Sequence, residues 1–326
     1  MSKLRVGVIR GGIGREYADS IETGSRVLGA LYASGKYTPI DILVDREGLW
    51  HVAGVPVAPA NLGSYVDVVF NALHGRYGED GKLSKFFDDL GIPHTGTSAL
   101  SGAMTLNKAH MKERAKQLGL KVPAHIVLPA VEARDEHTRR EAAHVYANMV
   151  HSKLSPPWVI KPLWGTGSHE VHYAETMHRL ISVLEDAFLL GEDLLAEEYL
   201  FGKELSVGVL EDFRKSSTYL TSPYHVFKND KLFYRHAKRD ELYRLIPYRE
   251  KRQEIHEATE KLIQDMNIRH YATVEFIDTN RGLYFMEIND LPLLGESHVF
   301  QKSIDRFGIT LPEIIEAMLE KFSDKW

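Results

Sequence analysis

The sequence predicts a mixed α/β protein that opens with a parallel sheet and closes with an α+β unit. Three observations predict it. Short β-branched runs alternate with helical stretches over the first hundred residues. Gly119, Pro123 and Pro156-Pro157 then break the chain into shorter units, and the last third holds two apolar strands joined by a tight turn. Strands separated by helices pair in parallel through crossovers, whereas strands joined by a short turn pair antiparallel.

The elements follow in order. Strands are expected at Arg5–Ile9, Pro39–Val44 and Val66–Leu73, with a helix near Ser20–Ser34 between the first two. A helix near Leu106–Leu118 stops at Gly119, with Pro123 just beyond, the usual helix-ending pattern. The charges around Arg134–Val150 mark a surface helix. Trp158–Lys161 reads as a strand, followed by a glycine loop at 165–168, a strand near Val171–Tyr173, an amphipathic helix near Thr176–Leu190 and a strand ending at Tyr199. Strands at Leu205–Leu210 and Leu232–His236, a helix over Arg249–Met266 and the hairpin Thr273–Ile277/Leu283–Ile288 complete an antiparallel sheet with helices.

Composition excludes several classes. With 326 residues and 44 % hydrophobic content the chain is long enough for two or three cored domains. It has no cysteine, so disulfides, a thiol nucleophile and thiolate metal sites are ruled out, and a metal must be held by carboxylate, amide or imidazole groups. No run approaches the roughly 20 apolar residues of a membrane helix, and Leu4–Ile9 follows the start without a signal-type segment. Forty Lys+Arg against 45 Asp+Glu argue against nonspecific nucleic-acid binding, although the basic stretch at 235–239 suits a phosphate.

Three constellations carry chemistry. Lys108 stands at the start of a helix and Lys161 at the end of an apolar strand before a glycine loop, a placement that suits phosphate contacts. The loop lacks the spacing and terminal Gly-Lys-Ser/Thr of a Walker A motif. Glu275 on one strand of the hairpin faces Glu287 and Asn289 on the other, which gathers three oxygen donors of the kind Mg²⁺ takes. Asn71-Ala72-Leu73-His74-Gly75-Arg76-Tyr77-Gly78-Glu79-Asp80-Gly81 starts as a buried strand and ends as a polar loop. The carboxyl end of a parallel strand is where open α/β sheets bind ligands.

That last segment stands in order with Gly11–Glu16 and Ser20, Gly91–Gly96, Asn107-Lys108, Val159–Pro162, Glu197–Leu200, Gly202–Leu205, Ala237-Lys238, Val274–Phe276 and Glu287–Asn289. Together they resemble the D-alanine–D-alanine ligase family of ATP-grasp enzymes over nearly the whole chain. The resemblance implies a three-domain ATP-grasp fold: an N-terminal parallel-sheet domain at 1–104, a small central α+β domain at 105–193, and a C-terminal domain at 194–326 carrying the metal site. ATP would lie between the latter two. By matching position Lys108, Lys161 and Lys238 would meet phosphates, with the loop residues Gly165, Gly167 and Ser168 closing over them. Glu197, Tyr199 and Leu200 would face the adenine and Glu204 the ribose. Glu275, Glu287 and Asn289 would hold two Mg²⁺ ions, for which Mn²⁺ can substitute. Glu16, His74, Lys238 and Arg239 would serve catalysis. The resemblance further implies a cytoplasmic enzyme of peptidoglycan biosynthesis that acts on small amino-acid substrates, forms a homodimer and uses neither nucleic acid nor membrane.

The departures lie on the amino-acid side. The family's arginine before the first metal carboxylate is Thr273 here, the glycine of its oxyanion site aligns with Leu293, and the serine-rich segment becomes Gly295-Glu296-Ser297-His298. Its Glu–Ser–Tyr network maps onto Glu16, Gly167 and Arg239. Three readings follow: a D-alanine–D-alanine-type ligase, a ligase for another amino acid or amine, and a nucleotide-binding homologue that has lost ligation.

Overall fold

The computed structural model describes residues 3–132, 135–165, 170–228 and 243–322. The loop residues 166–168, the strand expected at Leu232–His236, and Lys238 and Arg239 lie outside the described residues.

The first sheet contains β1 (Arg5–Gly11), β2 (Thr38–Val44), β3 (Trp50–Val52), β4 (Val55–Pro56) and β5 (Val68–Asn71), in the order β4-β3-β2-β1-β5. β1 pairs in parallel with both β2 and β5, as the alternation of strand and helix predicts. β3 and β4 correct the purely parallel expectation, because they add an antiparallel edge. Asp45 accepts from the backbone of Glu47 and Leu49 to turn the chain back onto β2, and Ala53 and Gly54 both take positive φ in the next turn. Such short strands leave little periodicity to read. Helix α1 (Tyr17–Ser34) packs Val27, Leu28 and Leu31 on Val6, Val8 and Phe70 of this sheet.

After β5 come α2 (Arg76–Glu79), α3 (Lys82–Asp89), α4 (Ala99–Leu106) and α5 (Lys108–Gln117). The helix expected at Leu106–Leu118 therefore starts two residues late, because Asn107 is extended (φ −87°, ψ 101°) and caps α5 by accepting from Ala109 and His110 N–H. Around this break Lys108 N–H donates to Leu163 O, and Gly165 N–H to Leu106 O. The loop carrying Gly165 is thus tied to the junction of the two helices.

The four-stranded sheet has the order β6-β9-β7-β8, built from β6 (His125–Leu128), β7 (Trp158–Pro162), β8 (His172–Ala174) and β9 (Leu194–Glu198). Helices α6 (Glu136–Lys153) and α7 (Met177–Ala187) cover one face. Trp158 and Ile160 project into the core they form with Ala147, Val150, Leu180 and Leu184. β9 belongs to this sheet, so residues 194–198 group with the central unit.

The third sheet runs β13-β12-β10-β14-β15 with β11 beside β10, from β10 (Gly202–Phe213), β11 (Ser216–Leu220), β12 (Tyr224–Lys228), β13 (Tyr243–Pro247), β14 (Tyr271–Thr279) and β15 (Gly282–Asn289). Helix α8 (Arg252–Asp265) buries Ile255 and Leu262 against Val207, Val274 and Phe276. Helices α9 (Val299–Asp305) and α10 (Leu311–Glu320) close the chain, and α10 returns to the first sheet, where Ile314 and Ile315 share a core with Val8 and Phe70.

Asn107 is 4 % exposed and its cap fixes where α5 begins. Asn107→Ala is expected to lower the unfolding free energy by about 1–2 kcal/mol, and Asn107→Asp to recover most of that, as read by urea denaturation.

Candidate functional site

Two sheets face each other across a cleft, and their registers decide which side chains enter it. In the four-stranded sheet Val159 opposes Glu197, and Lys161 lies two residues after Val159, so Lys161 and Glu197 leave the same face. In the six-stranded sheet Glu275 opposes Glu287 and Thr273 opposes Asn289, which places Glu275, Glu287, Asn289 and Thr273 on one face. Their apolar neighbours Val274 and Ile288 point to the core. Lys108 enters from the first turn of α5 and donates to Gly165 O.

Two adjoining cavities occupy the cleft. The first, of about 210 Å³, has Tyr199, Leu200 and Glu204 at one end and Glu275 and Glu287 at the other. The second, of about 460 Å³, is walled by Glu16, Arg15 and Arg76 on the N-terminal side and by Trp164, Gly165 and Glu192 on the central side. Lys108 and Lys161 border both cavities. Tyr199 is held edge-on between Tyr173 and Phe201, each with its ring centre 4.9 Å away. Glu16 reaches Gly75, whose φ is +81° and where an added Cβ would collide with the Glu16 carboxylate.

Buried charge dominates the inner wall. The Glu197 carboxylate lies 3.0 Å from Lys112 Nζ and 2.8 Å from Lys161 Nζ, with all three side chains nearly sealed from solvent. Burial pushes the Glu197 pKa up, but the two ammonium groups outweigh it and hold the carboxyl down at about 2. Burial lowers Lys112 to about 8 against the pull of Glu197. Burial also opposes the Lys161 charge, but Glu197, Glu287 and Glu275 keep its pKa above the ordinary lysine value. Lys108 goes the other way, because burial, reinforced by Lys161, outweighs the attraction of Glu287.

The expected site residues are therefore distributed as follows. Lys108, Lys161, Glu197, Tyr199, Leu200, Glu204, Glu275 and Glu287 border the smaller cavity, and Glu16 and Gly165 the larger. Glu197, expected to face the adenine, turns its carboxylate to the two lysines. Asn289 shares the face of the two glutamates, and its Oδ1 accepts from Leu291 N–H at 3.0 Å. His74 is not on the described wall of either cavity. It is buried behind the wall, with Nε2 3.0 Å from Thr23 Oγ1 and Nδ1 3.7 Å from Glu79 Oε1. Gly167, Ser168, Lys238 and Arg239 lie outside the described residues. Sequence reasoning missed Lys112, although its i+4 spacing from Lys108 on one helix was the available signal. It also missed Arg15 and Arg76 on the outer wall.

The hairpin fits a divalent cation. Among the described residues no three His, Asp or Glu side chains cluster as a closed metal cage. Two half-buried carboxylates with an amide oxygen instead match a hard ion that keeps water and phosphate oxygens in its shell. No helix among the described residues is long and apolar enough to cross a membrane.

Residues 115–320 match the family model described as the D-ala D-ala ligase C-terminus. The chain belongs to the D-alanine–D-alanine ligase family. A D-alanine–D-alanine ligase of Fervidobacterium nodosum is 28 % identical over 332 residues, covering 98 % of each chain. One from Bacillus anthracis is 25 % identical, covering 97 % of this chain and 96 % of the relative. Among solved structures, the B. anthracis D-alanine–D-alanine ligase complexed with ATP superposes with a TM-score of 0.75 at 24 % identity over 97 % of this chain and 96 % of that one. The VanG D-Ala:D-Ser ligase of Enterococcus faecalis gives 0.78 at 21 % identity, covering 98 % and 99 %. These likenesses establish the ATP-grasp fold over 97–98 % of the chain.

The lysine clamp on Glu197 generates a pH prediction. Its folded pKa is below the unfolded carboxylate value, so its stabilisation is present above about pH 4.5 and is lost as pH falls towards about 2. The difference in unfolding free energy between wild type and Glu197→Gln, measured by urea titration, is expected to shrink by on the order of 3 kcal/mol across that window.

Proposed function

We propose that the protein is an ATP-dependent carboxylate–amine ligase that joins two small amino acids, with D-alanine as donor. The observation that carries the reading is the single cleft in which Lys108 and Lys161 from one side meet the Glu275–Glu287 pair from the other. Phosphoryl transfer needs this arrangement: fixed cations around the transferring group and hard oxygen donors for Mg²⁺. Family membership and the ATP complex of the B. anthracis relative support it.

The nucleotide is assigned to the smaller cavity, with its adenine beside Tyr199 and Leu200, its ribose at Glu204, and its phosphates between Lys108 and Lys161. Lys238 and the loop residues Gly165, Gly167 and Ser168 are assigned to the phosphates as well. Glu275, Glu287 and Asn289 are the residues that would hold Mg²⁺, which supplies charge neutralisation on the β- and γ-phosphate oxygens when bound. The donor carboxylate attacks the γ-phosphorus and ADP leaves with the electron pair of the broken P–O bond, which gives an acyl phosphate. The acceptor, as the free amine after its ammonium proton passes to solvent, then attacks the carbonyl carbon; phosphate leaves with the electron pair of its bond to that carbon, and the remaining excess nitrogen proton is lost to solvent. Lys108 and Lys161 stabilise the transferring charge, and Glu16, at the Gly75 edge of the larger cavity, is assigned to the substrate ammonium group. His74 is assigned, through Thr23, to holding the segment that carries Leu294, whose N–H also donates to Thr23 Oγ1 at 3.3 Å. The dipeptide formed is assigned to cytoplasmic peptidoglycan precursor synthesis.

Thr273 bears on the substrate. It is buried opposite Asn289, so the family's β14 arginine has no counterpart on that wall. Among the described residues, Arg15 and Arg76 are the guanidinium groups that line the larger cavity, across the cleft from Thr273. This favours a shifted carboxylate position and a partner other than a second D-alanine, and the D-Ala:D-Ser ligase among its structural neighbours makes D-serine the first alternative to try.

The test is phosphate release and dipeptide formation with ATP, Mg²⁺ and a panel of D- and L-amino acids, followed by mass spectrometry. D-alanine is expected in the product, and no phosphate above background with any pair sinks the ligase reading. Glu275→Ala and Glu287→Ala are each expected to lower kcat by about 10²-fold or more. Arg15→Ala with Arg76→Ala is expected to raise KM for an amino acid about tenfold while leaving KM for ATP near its original value, a split that steady-state kinetics reads directly.

A further inference from the structure

Lys112 is a lysine with no exposed side-chain surface, and its Nζ serves two elements besides its own. It stands 3.0 Å from Glu197 Oε1 on β9 and donates at 2.7 Å to the backbone carbonyl of Met286 on β15. Met286 is the extra residue of a bulge, because Glu275 pairs with Glu287 while Phe276 pairs with Phe285. Neighbouring Met111 accepts from Ile288 N–H at 3.1 Å, so this turn of α5 is docked on the strand that carries Glu287 and Asn289. The other oxygen of Glu197, Oε2, bonds Lys161 at 2.8 Å. One carboxylate is thus shared between a lysine that borders the cleft and one that does not.

That sharing matters when an anion arrives. Lys161 is paired with Glu197 at 2.8 Å, and a phosphate must draw at least part of that ammonium away from it. A buried carboxylate that loses a lone counter-charge is left uncompensated, which is strongly unfavourable. With Lys112 on its other oxygen, Glu197 stays compensated. We propose that Lys112 is a positioning residue for nucleotide phosphate: it holds Glu197 by one oxygen so that Lys161, on the other, is released to the phosphates. The proposal rests on the nucleotide reading above and adds a residue that lines neither cavity but supports the wall of the smaller one from behind.

The charge environment agrees with this division of labour. Lys161 feels Glu287 and Glu275 as well as Glu197, and so keeps its charge close to the metal carboxylates, while Lys112 is compensated chiefly by Glu197.

The experiment measures the affinities of ATP, ADP and adenosine by calorimetry, so that phosphate recognition is separated from recognition of the nucleoside. Lys112→Met is expected to weaken ATP and ADP about tenfold or more while changing adenosine less than about twofold. Adding Glu197→Gln to Lys112→Met removes the competitor for Lys161 and is expected to restore most of the ATP-to-adenosine ratio; Lys112→Arg is expected to retain it. Thermal unfolding of each variant checks that it folds. If Lys112→Met proves unstable, the double variant, which buries neither charge, and Lys112→Arg still report the ratio. An equal loss for adenosine and ATP would show a purely structural role and overturn the proposal, as would a double variant no better than Lys112→Met. A wild-type protein that binds adenosine but gains nothing from phosphates would overturn the nucleotide reading itself, and this inference with it.

Discussion

A carboxylate removed from water is tolerated only where cations and donors replace its hydration, and Glu197 is where this protein meets that constraint. Its two oxygens are divided between α5 and β7, so the bond that neutralises the charge also fixes the helix of Lys108 against the strand of Lys161. Met286 extends the same connection to the hairpin of Glu275 and Glu287 through Lys112. Lys108, Lys161 and the Glu275–Glu287 pair come from three elements far apart in sequence, yet one small charged cluster ties those elements together. Disturbing it is therefore expected to alter the geometry of the cleft before it alters the fold.

Sequence legibility followed the strength of local signals. The parallel trio β1, β2 and β5 was readable because each strand carries a short run of Val, Ile, Leu or Phe between helical stretches, and the β14–β15 hairpin because a turn-forming run separates two strands. The break at Asn107 was not readable, since Asn is also tolerated inside a helix and the cap depends on extended geometry at one residue. The edge pair β3–β4 is too short to show a period. Helices α9 and α10 went unnoticed although Thr310 forms a capping box with Glu313, a local signature that was there to be found.

The same division holds within the site. Lys108 and Lys161 stood out because glycine and strand context framed them, and Glu275, Glu287 and Asn289 because hairpin geometry forces such positions onto one face. Lys112 sits in a helix rich in charged residues, where a lysine reads as solvated; only packing against β9 and β15 shows that it is buried. His74 illustrates the converse. Its motif suggested a catalytic group, whereas its imidazole is enclosed with Thr23 and Glu79 behind the cleft.

The return of α10 to the first sheet has a mechanical consequence. Ile314 and Ile315 interlock with Val8 and Phe70, so the two ends of the chain form one continuous apolar body, while the core around Trp158 is made entirely from residues between 126 and 196. Three sheets thus amount to two mechanical parts: a large anvil built from both termini, and a small jaw joined to it by polar contacts such as Glu198 with Arg281 and Glu197 with Lys112. The apolar core of each part is therefore separate from the other's, and the buried Glu197–Lys112 pair is one of the contacts that hold the jaw to the anvil.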